Sequence, residues 1–308
     1  MARTTWRETL SALGYKAGWK LVTYIPQPCA QALFNFGADV ASKWGKGMPQ
    51  LRKNLARVVG EHNVDDALVR AAMRSYARYW LEAFRLPKLV GDKNILDIYA
   101  RGVDGVEHLE AALASDKGVV LILPHSGNWD MAGMYLAHRY GTFTTVAERL
   151  KPEALYDAFV EFRESLGFHV LPLTGGKAPF PALKETLAAG NIVCLLGERD
   201  LRRHGIPVQF FGEETRMPAG AAKLALDTGA QLLVAHSYFD AKGWGTTISP
   251  PIAHRHEADG LQAMVQEVAN HMQTNIAAHP VDWHLLQPLW IADLDQERFA
   301  RGLAKEDS

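Results

Sequence analysis

Two apolar runs in this chain end on titratable side chains. In "VVLILPHSGNWDMAG", five apolar residues and a proline stand directly before His125, and Asp130 follows five positions later. In "CLLGERD", a second run ends on Glu198, Arg199 and Asp200. A neutral imidazole, with an ordinary pKa of about 6.5, is a general base near neutrality, and a carboxylate on its other nitrogen fixes the tautomer and stabilises the imidazolium. An interval of five places two residues about 140° apart on a continuous helix, so His125 and Asp130 meet only if "SGN" makes a turn. Ser126 or Asn128 can cap a helix starting near Trp129, which puts Asp130 in its first turn, where the macrodipole favours negative charge. The same letters therefore read as a base with its orienting acid or as a capped helix beside a polar histidine. Glu198 can orient the imidazole, bind an acceptor hydroxyl or pair with Arg199. Arg163, in "FRESLGFHVLPL", offers a planar fork for phosphate or carboxylate, or is an exposed helix arginine.

The elements that must carry these residues follow from periodicity. Residues 1 to about 100 read as helices divided by the breakers "IPQP" and "GKGMP"; "DDALVRAAMRSYARYWLEAFRLP" has a helical apolar period ended by Pro87. From Gly118 the rhythm changes to short runs rich in β-branched residues: "GVVLILP", "FTTVA", "FHVLPL", "NIVCLLG", "PVQFF", "QLLVAHSYF" and "TTISPPI". Helical stretches separate several of them: "KPEALYDAFVEFRESLG", "KAPFPALKETLAAG" and "RMPAGAAKLALDTG". This alternation predicts an α/β fold: a mostly parallel central sheet flanked by helices, with a helical N-terminal region, all in a single domain over 1–308. His125 then lies beyond the carboxyl end of a strand, where such sheets bind ligands.

The 308 residues carry a formal net charge of −1 and two cysteines. A balanced charge gives no global basic field for nucleic acid, and no partner of that kind is expected. Cys29 and Cys194 are too few for a disulfide framework, and no cluster has metal-ligand spacing, so no metal is expected; Cys194, inside "NIVCLL", reads as a core residue. "GGK" at Gly175 to Lys177 lacks the spacing of a P-loop. The N-terminal segment reads as neither a signal peptide nor a transmembrane helix. In it, Leu10, Leu13, Ala17, Leu21 and Tyr24 recur at helical spacing among Arg3, Arg7, Lys16 and Lys20, with Trp6, Tyr15 and Trp19, a pattern suited either to an anionic membrane surface or to packing on the domain.

Four blocks in fixed order, "HSGNWD", "FRESLGFHVLPL", "GERDLRRHGIPVQFFGEETRMPAGAAKLALDTGAQLL" and "DWHLLQPLW", resemble the lysophospholipid acyltransferase superfamily. Within it the chain looks most like the bacterial lipid A late acyltransferases and their actinobacterial relatives, the phosphatidylinositol mannoside acyltransferases. The likeness covers roughly residues 100 to 290. It implies His125 as the family's histidine, with Asp130 and Glu198 as catalytic partners that hold the ring. Substrate contacts are assigned to Arg163, Glu148, Asn128 and Arg199. It further implies a palmitoyl-type acyl-CoA as co-substrate with no permanently bound cofactor, and the 6-hydroxyl of a mannose in a phosphatidylinositol mannoside as acceptor. Peripheral attachment to the anionic cytoplasmic face of the membrane completes the expectation. Other acceptors in the superfamily are a lysophospholipid, glycerol 3-phosphate or a lipid A precursor, and a non-catalytic lipid-binding protein could keep the fold. Direct transfer is expected, since neither Ser126 nor Cys194 sits in a Gly-x-Ser-x-Gly elbow.

Overall fold

The computed structural model describes residues 22–149, 153–176, 178–200, 204–241, 243–295, 297 and 299. The amphipathic segment expected near the N-terminus therefore lies outside the described residues, apart from Val22 to Tyr24. Helices α1 (Gln27–Ala41), α2 (Pro49–Val59), α3 (Asp66–Arg85) and α4 (Lys93–Ala100) come first, then strand β1 (Val103–Asp104) and α5 (Val106–Leu113). The α/β part continues with β2 (Val119–Leu123), α6 (Trp129–Tyr140), β3 (Phe143–Ala147), α7 (Glu153–Ser165), β4 (Phe168–Pro172), α8 (Pro179–Ala188) and β5 (Ile192–Leu196). A hairpin of β6 (Ile206–Phe210) and β7 (Glu213–Met217) leads to α9 (Gly220–Thr228), β8 (Gln231–Asp240), β9 (Gly243–Ile248) and α10 (Gly260–Ala278). Helix α3 begins where the Asp65 carboxylate accepts from the Leu68 amide at 2.7 Å. It ends at Arg85, where the backbone tightens into a short helical turn over Leu86–Lys88.

Seven strands form the main sheet in the order β1-β9-β8-β2-β5-β3-β4. All neighbours are parallel except β8 and β9. The expected α/β architecture with a helical N-terminal region is thus present. Strand β7 is the departure: "EETRM" has no apolar run, and the helix read from Arg216 onward starts only at Gly220. Alternation is there in disguise, because Thr215 and Met217 are buried while charged residues face outward. Phe211 and Gly212 both take positive φ, the backbone a two-residue hairpin turn demands.

Alternate side chains of the central strands feed two separate cores. Val120, Ile122, Val193, Leu232 and Val234 pack with α8, α9 and α10. Val119, Leu121, Ile192, Cys194, Leu233 and Ala235 face α3 to α7 on the other side. The helix after β2 and the helix after the β6–β7 hairpin therefore leave on opposite faces, and a crevice opens beyond the carboxyl ends of β2 and β5.

Candidate active site

Strand register brings the base and its acid together. Leu123 pairs with Leu196 at the end of the β2–β5 ladder, and His125 and Glu198 each lie two residues further on. His125 Nδ1 sits 2.8 and 2.9 Å from the two Glu198 carboxylate oxygens, and the His125 backbone amide donates to Oε1 at 3.0 Å. The carboxylate is 1 % exposed, whereas the imidazole is 43 % exposed. Nδ1 is therefore committed and Nε2 is left for a substrate. Burial opposes charge on the ring, but the adjacent Glu198 carboxylate outweighs it and raises the His125 pKa above its ordinary 6.5. Burial likewise pushes Glu198 up, and attraction and hydrogen bonds from His125 overcome it to leave the acid below its usual range.

The turn that presents His125 is lashed to the end of the chain. Ser126 bridges antiparallel to Trp283. The Gly127 amide and the Ser126 hydroxyl both donate to the Asp282 carbonyl, at 2.8 and 2.9 Å, and the His284 amide donates to the His125 carbonyl at 2.8 Å. Gly127 has φ of +58°, and a Cβ there would stand 2.5 Å from the Ser237 carbonyl carbon, so the turn tolerates no side chain. Beneath it, Ser75 donates to Asp282 Oδ1 at 2.6 Å, and the Phe239 amide donates to Oδ2 at 2.9 Å. With its proton given to Asp282, the Ser75 oxygen accepts from His284 Nε2 at 3.0 Å, which fixes His284 as the neutral Nε2–H tautomer. Burial, with the neighbouring His125 and His236 adding to it, drops the His284 pKa to about 3.

Asp130 is as buried as Glu198 but does not hold the ring. Its oxygens accept from the Tyr79 hydroxyl at 2.8 Å and from Arg163 Nε at 2.9 Å. The expectation that both acids orient His125 is corrected accordingly: the first turn of α6 points Asp130 at α3 and α7, and Glu198 alone contacts Nδ1. Arg163 is correspondingly a partner of Asp130 and not an exposed helix arginine. Asn128, expected at the substrate, is engaged within the protein. Its Oδ1 caps α6 by accepting from the Met131 amide at 2.9 Å, and its Nδ2 donates to Glu82 Oε2 at 2.8 Å. Glu148 is exposed just past β3 on the same rim. Arg199 turns away from Glu198 and donates through Nε to the Pro288 carbonyl at 2.8 Å.

An apolar cavity runs under α6, between that helix and the sheet. Its empty space, counted together with the open solvent at its mouth, is about 820 Å³. Trp129, Asp130 and Arg163 line it together with Gly133, Leu136 and Tyr140 along α6 and Leu121, Leu123, Cys194 and Leu196 from the sheet. His125 is not in its wall; Trp129, whose ring meets the imidazole edge-on at 5.4 Å, stands between them. Burial pushes the Cys194 thiol up, which suits a wall and not a nucleophile. Ser126 is wholly buried and its hydroxyl is already donated.

Ser75, Tyr79, Trp129, Asp282 and His284 were not singled out from the sequence. The block "DWHLLQPLW" carried a signal for the last two, since Asp and His flanking a tryptophan after a long amphipathic helix are unusual in a core. Ser75 and Tyr79 have none beyond sharing one face of α3.

Residues 5–291 match the profile of the bacterial lipid A biosynthesis acyltransferase family. A protein of Mycolicibacterium smegmatis named phosphatidylinositol mannoside acyltransferase is 54% identical over 292 residues, covering 94% of either chain. One of the same name from Mycobacterium tuberculosis is 50% identical over 302 residues, covering 97% of this chain and 94% of its own. Matched over nearly its whole length, the chain belongs to the bacterial lipid A biosynthesis acyltransferase family.

Proposed function

We propose that the chain moves a palmitoyl-type group from acyl-CoA to the 6-hydroxyl of mannose in a phosphatidylinositol mannoside, by direct transfer. The observation that carries this reading is an imidazole tied through Nδ1 to a buried carboxylate, partly exposed, and separated from an apolar cavity by the Trp129 ring. His125 Nε2 takes the proton of the acceptor hydroxyl as its oxygen attacks the thioester carbonyl, and Glu198 balances the charge that develops on the ring. Collapse of the tetrahedral adduct expels the thiolate of CoA, which takes the proton back from His125. The reaction needs no permanently bound cofactor. Glu148 and Arg199, on the solvent side of the rim, are the polar groups for headgroup and CoA contacts, and Arg163 anchors the cavity mouth through Asp130.

The acceptor is a lipid, and attachment at the cytoplasmic membrane face fits the surface of α1. Leu33, Phe36 and Val40 are exposed at helical spacing, with Trp44 just beyond. Among the described residues no helix is long and apolar enough to cross a membrane.

Purified protein given radiolabelled palmitoyl-CoA tests the assignment, with a phosphatidylinositol mannoside, lysophosphatidate, glycerol 3-phosphate and a lipid A precursor as separate acceptors. Labelled ester is expected on the mannolipid, with a loss of about 100-fold or more in His125→Ala. Ester on another acceptor and none on the mannolipid would overturn the substrate, and undiminished transfer by His125→Ala would overturn the base.

A further inference from the structure

The turn carrying His125 is rich in side-chain donors, and apart from the imidazole itself all but one are engaged. Ser126 donates to Asp282, and Asn128 donates to Glu82. The exception is Trp129. Its indole Nε1 is buried, and among the described residues no acceptor meets it. Buried polar hydrogens are as a rule paired, so an orphan beside a reacting centre asks for an acceptor that arrives with substrate. The ring is held rigidly: it stacks on Tyr79 at 3.9 Å, and the Tyr79 hydroxyl is fixed by Asp130. Among the described residues it is the aromatic ring that both lines the cavity and meets the imidazole.

We infer that Trp129 is a further catalytic residue, whose indole N–H donates a hydrogen bond to the carbonyl oxygen of the acyl thioester. This rests on the acyl-transfer reading above. As the acceptor oxygen bonds to the thioester carbon and its proton passes to His125, the carbonyl electron pair moves onto oxygen; the indole N–H stabilises that oxyanion. The pair then returns to rebuild the carbonyl, the carbon–sulfur bond breaks, and the thiolate leaves with the proton from His125. A preorganised donor aimed at developing charge, in a site walled from water, is the kind of contact that gains strength as the transition state forms. Three other buried nitrogens near the turn lack a partner among the described residues, His236 Nδ1, Trp283 Nε1 and His284 Nδ1, but none of these residues lines the cavity: Trp283 packs into the opposite core, and His284 Nδ1 is an acceptor in the tautomer fixed by Ser75.

Two variants of the full chain separate the N–H from the ring: Trp129→Phe, and replacement of Trp129 by benzothienylalanine, which keeps the fused-ring shape and puts sulfur in place of N–H. Transfer of labelled palmitoyl to the mannolipid is followed, together with the infrared band of a ¹³C-labelled thioester carbonyl in bound palmitoyl-CoA. The benzothienyl protein should lose about 100-fold in kcat with KM little changed, and its carbonyl band should lie at higher frequency than in the wild type. Its melting temperature should not fall, since an unpaired donor has been removed; a purely structural tryptophan would instead move stability and leave kcat alone. A kcat within about threefold of wild type in the benzothienyl protein, or the same carbonyl band in both, overturns the inference even if Trp129→Phe fails to fold. His125→Ala, run alongside, tells the two readings apart. If it is inactive while the benzothienyl protein is active, only the role of Trp129 falls; if it is fully active, His125 is not the base and the mechanism on which the role of Trp129 rests falls first.

Discussion

Two carboxylates on one rim, each about 1 % exposed, have been put to different uses. Glu198 faces an imidazole, whose charge comes and goes near neutral pH, while Asp130 faces a guanidinium, whose charge is permanent, and a tyrosine hydroxyl. The difference lies in which element each approaches. Glu198 extends straight from β5 and meets the residue at equal offset from β2, whereas Asp130 enters a helix whose first turn rotates it toward α3 and α7. A buried acid at a strand end is thus either chemistry or scaffold according to its neighbour, and the two can be told apart by what breaks when each is neutralised.

The largest expected effect is on the scaffold side. Asp130→Asn leaves Arg163 buried without its counter-charge and should cost about 3–5 kcal/mol in urea denaturation, while the apparent pKa of the residual activity moves down less than in a Glu198 variant, because Asp130 acts on His125 only through space and more weakly than Glu198. A shift of that pKa as large as a Glu198 variant produces would erase the distinction. Next come neighbours on β5 that point to opposite faces. Val193→Leu crowds the closed core under α8 to α10 and should cost about 1–3 kcal/mol, leaving acyl-chain preference intact. Cys194→Leu grows into the cavity, so it should cost less stability and reduce transfer of long acyl groups more than short ones. Chain-length profiles that respond equally to both would place the acyl group elsewhere.

A smaller effect concerns His284. Its folded pKa is held near 3 against an ordinary 6.5, so the native chain declines a proton that the unfolded chain accepts. The stability this contributes is present above about pH 6.5 and is lost as pH falls toward 3. His284→Gln, which can still donate to Ser75, should lose about 1 kcal/mol less than wild type between pH 7.5 and 5.5, as read by urea midpoints at the two values. Equal losses would mean that His284 is not held neutral.

How much of this could be read from the letters depended on where the partner lay. The pairing of His125 with Glu198 was legible because parallel register converts equal distances from two apolar runs into proximity, and the sheet was legible from the alternation of runs and amphipathic stretches. The role of Asp130 was not, because its partners Tyr79 and Arg163 come from helices far along the chain. Asn128 was read both as a cap and as a substrate contact, and only the cap is seen. Ser75, Tyr79 and Glu82 recur at helical spacing on one face of α3 and bond Asp282, Asp130 and Asn128, yet the strong apolar period of that helix masks them. Strand β7 was hidden by its charges, since its alternation rests on a threonine and a methionine.

The central claim is that Glu198 sets His125 as the base, and the pH dependence of kcat/KM in wild type and Glu198→Gln tests it most directly. Activity requires the neutral ring, so the wild-type acid limb should have its midpoint above 6.5, the direction in which Glu198 shifts His125. With the carboxylate neutralised, burial becomes the dominant influence beside the weaker and opposed charges of Arg163 and Asp130, and the limb should move to lower pH while the rate on the plateau falls. A limb that stays in place in Glu198→Gln would contradict the account.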